Sequence, residues 1–256
     1  MAYKEKFRFS FQNPGKLVFG AGAIKSITKE LKAGKAAPKK TRQGQAHRRR
    51  KPRWFERFHW FVSTDGFLVI GGRDAESNEE IYAKYLERRD LALHTDAPGA
   101  PLTVIKTEGE EVPESTLLEA AQSAVSYSSV WKAGLAAADC YLVKGDQVTK
   151  TPEHGEYLKS GGFVIRGERR YFRDVPLGIA IGIAEGMLIG GPVQAVNPKA
   201  YLAVEISPGE FNPEDLARRI YRLFSEKEDD RAYLKSFASV DRIIEFLPPG
   251  GSKIME

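Results

Sequence analysis

The 256-residue chain is 42% apolar and 11% aromatic and carries 39 Lys and Arg against 34 Asp and Glu, a net charge of +5. That mixture excludes a wholly disordered chain. It also excludes a membrane partner: the near-continuous apolar run at residues 178–193 is broken by Glu185 and several glycines, short of the roughly 18 to 20 residues a span needs.

The opening stretch "MAYKEKFRFSFQ" alternates charge with aromatic residues and has no apolar block of the kind a secretory leader carries. Cys140, the single cysteine, can form neither an internal disulfide nor a two-cysteine metal knuckle. A buried, inert thiol in a reducing, cytoplasmic setting is therefore expected. Residues 1–34 read as a short strand-turn-helix segment: "FRFSFQ", a turn at "NPGK", the strand "LVFG" and the amphipathic helix "AIKSITKELK", closed by Gly34. Residues 35–53 read as a basic flexible linker. Between Leu31 and Arg53 lie ten Lys or Arg and no acid, a charge of +10, which leaves 29 basic against 34 acidic residues, or −5, elsewhere. A single-sign block spaced by Gly, Ala, Pro and Gln repels itself too strongly to pack and suits polyanions, nucleic acid above all; the plain alternative is a solubilising linker.

Residues 54–250 read as one main domain of α+β class, a mixed α/β sheet with flanking helices. "RFHWFVS" and "FLVIGG" around "TDG" predict a hairpin, because Asp-Gly supplies the positive φ of a tight turn; Phe55, Phe58, Trp60 and Phe61 are assigned mainly to the core. "SNEEIYAKYLER" predicts a helix capped by Ser77 with Glu80 three residues on. Strands follow at "LALHTD" and "LTVIK", then a long helix from Pro113 to about Lys132 whose small face of Leu117, Ala121, Ala124 and Val125 can lie close to a sheet. "ADCYLVKGDQVTK" and "GGFVIRGERRYF" read as strands joined by a turn-rich segment. "LGIAIGI", "GPVQAV" and "AYLAVEI" read as further strands. "NPEDLARRIYRLF" reads as a closing helix with Asn212 as cap and Pro213 in its first turn.

Three stretches offer chemistry. "GGRDAESNE" sets Arg73 and Asp74 at a strand end, and "LHTDAPGAP" sets His94 and Asp96 at i and i+2, on one face of an extended strand beside Gly99. "QVTKTPEHGEY" and "IRGERR" add Lys150, His154, Glu156, Arg166, Arg169 and Arg170. Two His and two carboxylates, His94, Asp96, His154 and Glu156, could complete a divalent site in a metal-dependent hydrolase of nucleic acid. No HExxH or GxSxG pattern accompanies them, so neither a catalytic residue, a metal nor a cofactor is expected.

In order and spacing, "KPRWFERFHWFVSTDGFLVIGGRDAESNE", "HTDAPGAPLTVIK", "YSSVWK", "DQVTKTPEHGEYL" and "GGFVIRGERRYF" resemble the NFACT-R RNA-binding domain of the ribosome quality-control NFACT family. The likeness is to the RqcH and nuclear export mediator factor type, some bacterial members of which are labelled fibronectin-binding proteins. It covers about residues 48–250 and is archaeal-like at "GGP" and "LPPG". The resemblance implies a non-enzymatic, cytoplasmic domain that binds tRNA and the RNA of the large ribosomal subunit in rescue of stalled ribosomes. General polyanion or DNA binding stands as the alternative beside the hydrolase. Full-length members also carry an NFACT-N domain and a coiled coil, which residues 1–50 do not match, so a separate NFACT-N and coiled-coil chain is a candidate partner. Instead "FSFQNPGKLVFGAGAIKSI" resembles the start of iron-dependent alcohol dehydrogenases, without that family's later metal-binding pattern.

The expected RNA contacts are Arg48, Arg49, Arg50, Lys51 and Arg53 in the arm and Arg73, His94, Lys150, Arg166, Arg169 and Arg170 on the folded surface. Asp74, Asn78, Glu79, Asp96, Gly99, Gly155, Glu156 and Gly167 are expected to be structural positions of the family motifs.

Overall fold

The aromatic run that follows the basic arm splits between two hydrophobic layers. A single 3-10 turn, Trp54–Arg57, leads into strand β1 (His59–Val62), which pairs antiparallel with β2 (Leu68–Gly71). Side chains alternate across a strand, so Phe61 enters one core while Trp60 joins Phe55 and Phe58 in the other. All four aromatics expected in the core are buried, and Trp54 is left at the surface. The hairpin closes where expected: the Ser63 amide donates to the Phe67 carbonyl at 2.8 Å, and Gly66 takes the positive φ of +96°.

The computed structural model describes residues 51–151 and 162–255, all within one compact unit, Arg49–Glu256. The expectations for residues 1–50, and those for His154, Gly155 and Glu156, lie outside the described residues. Helix α1 (Ala75–Glu80) runs into a π-helical turn, Ile81–Tyr85. After it come β3 (Leu91–His94), β4 (Thr103–Ile105), α2 (Glu114–Ser126), α3 (Ser129–Lys132) and β5 (Ala137–Lys144). Two short strands, β6 (Val148–Thr149) and β7 (Val164–Ile165), pair with each other, and β8 (Arg170–Pro176) completes a six-stranded sheet in the order β1-β2-β4-β3-β5-β8. The chain then enters a four-stranded sheet, β10-β9-β11-β12, built from β9 (Ile179–Ala184), β10 (Met187–Gly191), β11 (Leu202–Phe211) and β12 (Ser252–Ile254). Helices α4 (Val193–Val196), α5 (Pro213–Lys227), α6 (Arg231–Phe237) and α7 (Val240–Ile244) complete it. This is α+β architecture, as the sequence indicates.

The small face of α2 does what its composition allows: Leu117, Ala121, Ala124 and Val125 are buried against Phe61, Val69, Leu93 and Ile105. The same core continues into the second sheet through Ile179, Ile181 and Ile183, and under α5 through Leu216, Ile220 and Phe224. On the opposite side of the first sheet a second core gathers Phe55, Phe58, Trp60, Ile70, Ile81, Tyr141 and Val143. Trp131 ties the C-terminus to the fold, its indole N–H lying 2.9 Å from Ser252 Oγ. The fold thus runs past residue 250 through β12.

Three local expectations are corrected. The α1 cap is Asp74, whose carboxylate accepts the Ser77 amide at 2.7 Å while Ser77 Oγ accepts the Asp74 amide at 2.9 Å; Ser77 is the third residue of the helix rather than its cap. The helix expected from Pro113 to Lys132 breaks at Tyr127 and Ser128, where Ser128 caps α3 through the Val130 amide. "GPVQAV" is not a strand: Pro192, which cannot donate to a ladder, ends β10 and begins α4, its carbonyl accepting the Val196 amide at 3.1 Å. The strand in that region is β10, paired with β9.

Candidate nucleic-acid interface

Register across β3, β5 and β8 sets His94 opposite Tyr141 and Tyr141 opposite Tyr171, so one row of the sheet carries three rings on one face. Tyr141 and Tyr171 meet edge to face with centroids 5.8 Å apart, and His94 lies 6.2 Å from Tyr141. Arg169, Tyr171 and Arg173 alternate along the chain and therefore share this face. The Arg169 guanidinium sits 4.5 Å from the Tyr141 centroid and that of Arg173 the same distance from Tyr171. Tyr171 remains 43% exposed. Asp96 has an oxygen 4.0 Å from Arg169, and Asp139 accepts a hydrogen bond from Arg173. The Arg173 hydrogen bond, joined by the Asp174 amide, holds the Asp139 carboxyl below the usual carboxylate range. Burial lowers His94, against the upward pull of the Pro101 carbonyl 3.0 Å from Nδ1 and of Asp96. A carbonyl can only accept, so Nδ1 carries the proton of the neutral ring.

Lys150 and Arg166 flank the β6-β7 pair, where Phe163 and Ile165 pack on the second core. Lys150 Nζ is 2.8 Å from Glu79 and 5.7 Å above the Phe163 ring. Arg166 donates to the Thr151 carbonyl at 2.9 Å, and Gln147 Nε2 donates to the Arg166 and Glu168 carbonyls at 2.7 and 2.9 Å. Gly167 is required there: φ is +81°, and a Cβ would lie 2.9 Å from Gln147 Nε2. Asn78 is buried and pins α1 to the β3-β4 loop, accepting the Leu102 amide at 2.8 Å. Gly99 in that loop has φ +70°.

Two cations expected in the same surface stand elsewhere. Arg170 pairs in register with Leu142, on the α2 side of the sheet, and grips Glu114 of α2 at 2.7 and 2.8 Å. Arg73 follows β2, four strand steps from β8, which at about 4.8 Å per step is roughly 19 Å away. It is half-buried and donates to the Phe58 carbonyl at 3.2 Å. In the arm, Lys51 is exposed and Arg53 lies 5.9 Å from the Phe55 ring, while Arg48, Arg49 and Arg50 lie outside the described residues. Tyr141, Tyr171 and Arg173 belong to the site although sequence reasoning does not single them out; the i, i+2, i+4 spacing of Arg169, Tyr171 and Arg173 in "ERRYFRD" is the signal that could have found them. Among the described residues, no group of three His, Cys, Asp or Glu is arranged to hold a metal ion. Cys140 is buried, which pushes its thiol up to about 12. Among the same residues, no helix is long and apolar enough to cross a membrane.

Residues 57–167, which contain Arg73, His94, Lys150 and Arg166, match the family described as the NFACT protein RNA binding domain. The chain carries an NFACT RNA-binding domain. This NFACT region is similar to the archaeal Rqc2 homolog aRqcH of Methanocaldococcus jannaschii, with 40% identity over 212 residues, 81% of this chain and 30% of that protein. It is also similar to the human ribosome quality control complex subunit NEMF, with 40% identity over 156 residues, 57% of this chain and 14% of that protein. The chain thus spans under a third of the length of these relatives. A solved structure of the C-terminal of the fibronectin/fibrinogen-binding protein from Streptococcus suis is 22% identical, with a TM-score of 0.39 over 60% of this chain and 56% of that one.

Proposed function

We propose that this NFACT domain is a non-enzymatic, cytoplasmic RNA-binding module that docks on the large ribosomal subunit and tRNA during rescue of stalled ribosomes. The family match carries this reading, and the names of the relatives, ribosome quality control subunits, supply its setting. The face formed by Lys150, Arg166, Arg169 and the Tyr141–Tyr171 pair supports it chemically: guanidinium and ammonium groups suit phosphates, and an exposed tyrosine backed by cations suits an unstacked base. The carboxylates beside these cations, Glu79 and Asp96, favour a phosphate-dense partner, since a weakly charged one would not displace them.

Ribosome-gradient fractionation of the full chain tests the proposal. Co-sedimentation with large subunits, with tRNA and large-subunit RNA recovered on crosslinking, is expected. Sedimentation free of ribosomes, with duplex DNA bound as tightly as structured RNA, would replace it by general polyanion binding.

A further inference from the structure

A cavity of about 430 Å³ opens where the basic arm meets the fold. Its apolar walls come from distant parts of the chain: Trp54 and Trp60 from the entry to the first sheet, Met187 from β10, and Phe237 and Phe246 from the C-terminal helical region. Three guanidiniums, Arg53, Arg57 and Arg242, line it against two acids, Glu56 and Glu245. The volume lies in the lower half of the roughly 300–1,000 Å³ span of small-ligand pockets, room enough for one nucleotide.

Trp54 is prepared for stacking. One indole face is backed by Tyr85 at 4.3 Å and 12°, yet the ring lines the cavity and stays 41% exposed. The other two tryptophans, Trp60 and Trp131, are buried, so a rigidly held, half-exposed one marks a surface for a ligand. The cations are held in place too. Arg57 pairs with Glu80 at 2.6 Å, and Arg242 donates one of its five N–H groups to the Phe237 carbonyl at 3.1 Å. The Phe246 wall depends on Gly190, where an added Cβ would stand 2.5 Å from the ring. A nucleotide offers both an aromatic face for Trp54 and a phosphate for the three guanidiniums. In sequence, Arg48, Arg49, Arg50 and Lys51 immediately precede Arg53 and add positive charge suited to the same phosphate backbone.

We infer that this cavity takes a single unpaired nucleotide of an RNA strand, its base on Trp54 and its phosphate among Arg53, Arg57 and Arg242. The inference rests on the RNA-binding reading above and specifies a second site, separate from the Tyr141–Tyr171 face. The test measures fluorescence anisotropy of the full chain with two labelled RNA hairpins, one blunt and one bearing a short single-stranded 3′ extension. The wild type should prefer the extended hairpin about 5- to 150-fold, as base–aromatic stacking implies. Trp54→Ala and, independently, Arg242→Ala should remove that preference while leaving blunt-hairpin affinity unchanged. Arg242 is exposed, so its variant keeps the test decisive if the tryptophan variant folds poorly. Equal wild-type affinity for the two hairpins, or a preference that survives both substitutions, overturns the pocket while leaving RNA binding in place. Binding of neither hairpin overturns the RNA-binding reading and the pocket with it.

Discussion

His59 should make the domain acid-labile by a predictable amount. Its ring stacks on Tyr127 at 3.8 Å, and its Nδ1 is shut from solvent with no hydrogen-bond partner among the described residues. Burial, reinforced by the Arg73 charge and opposed by Asp74, lowers its pKa from 6.5 to about 3. The folded protein therefore keeps His59 neutral where the unfolded chain protonates it. Below pH 6.5 the unfolded state holds more protons, so stability rises with pH across the window from about 3 to 6.5 and is lost as pH falls through it. At about 1.36 kcal/mol per pH unit, the loss from this residue at pH 5 is about 2 kcal/mol relative to pH 7.5. Urea unfolding of the wild type and of His59→Phe, which keeps a ring on Tyr127, isolates the effect because every other titrating group is common to both. The difference in unfolding free energy between pH 7.5 and pH 5 should be about 2 kcal/mol smaller in the variant. Arg73→Ala should shift the acid transition in the same sense, to lower pH, since removing the neighbouring charge lets the folded protein protonate His59 more readily. An identical pH dependence in the wild type and His59→Phe would refute the reasoning.

Two further outcomes are expected. Asp90 is buried and accepts the Glu87 amide at 2.9 Å, the Thr107 amide at 3.1 Å and the Lys106 ammonium, so Asp90→Ala should cost about 3–5 kcal/mol in urea unfolding by leaving Lys106 without its buried carboxylate. Neutralising the arm cations from Lys39 to Arg53 should flatten the dependence of log affinity on log salt by about 0.7 to 0.9 for each phosphate the arm no longer neutralises; an unchanged slope would remove the arm from the interface.

Local chemistry is legible in the sequence and long-range register is not. Asn212 caps α5 as read, accepting the Asp215 amide at 2.9 Å, because a cap and its donor sit three residues apart. The hairpin at Asp65-Gly66 and the buried face of α2 are legible for the same reason. Ser77 reads as a cap because serine fits both the cap and the third position of a capping box; only the bond to Asp74 distinguishes them. Residues 191–196 mislead through their two valines, whose preference for strands gives way to the missing donor of Pro192. The cation surface is half legible. Lys150 and Arg166 flank the β6-β7 pair and Arg169 follows three residues on, whereas Arg170 is turned to the α2 side by alternation along β8 and Arg73 is held apart by three intervening strands. The Tyr141–Tyr171 pair depends on a cross-strand register that shifts between Ala138 and Cys140, and no sequence pattern reports such a bulge.

The most direct measurement is the affinity of the full chain for labelled tRNA and for large-subunit RNA, compared between the wild type and the Lys150→Ala, Arg166→Ala, Arg169→Ala triple variant at one fixed salt concentration. The ion pairs these cations make at the surface are worth only about 0–1 kcal/mol each, so the variant should keep nearly the same melting temperature. Its dissociation constant should rise at least about tenfold, the equivalent of about 1.4 kcal/mol and within the range of one charged hydrogen bond. Wild-type affinity in a folded triple variant would contradict the assignment of this face to RNA.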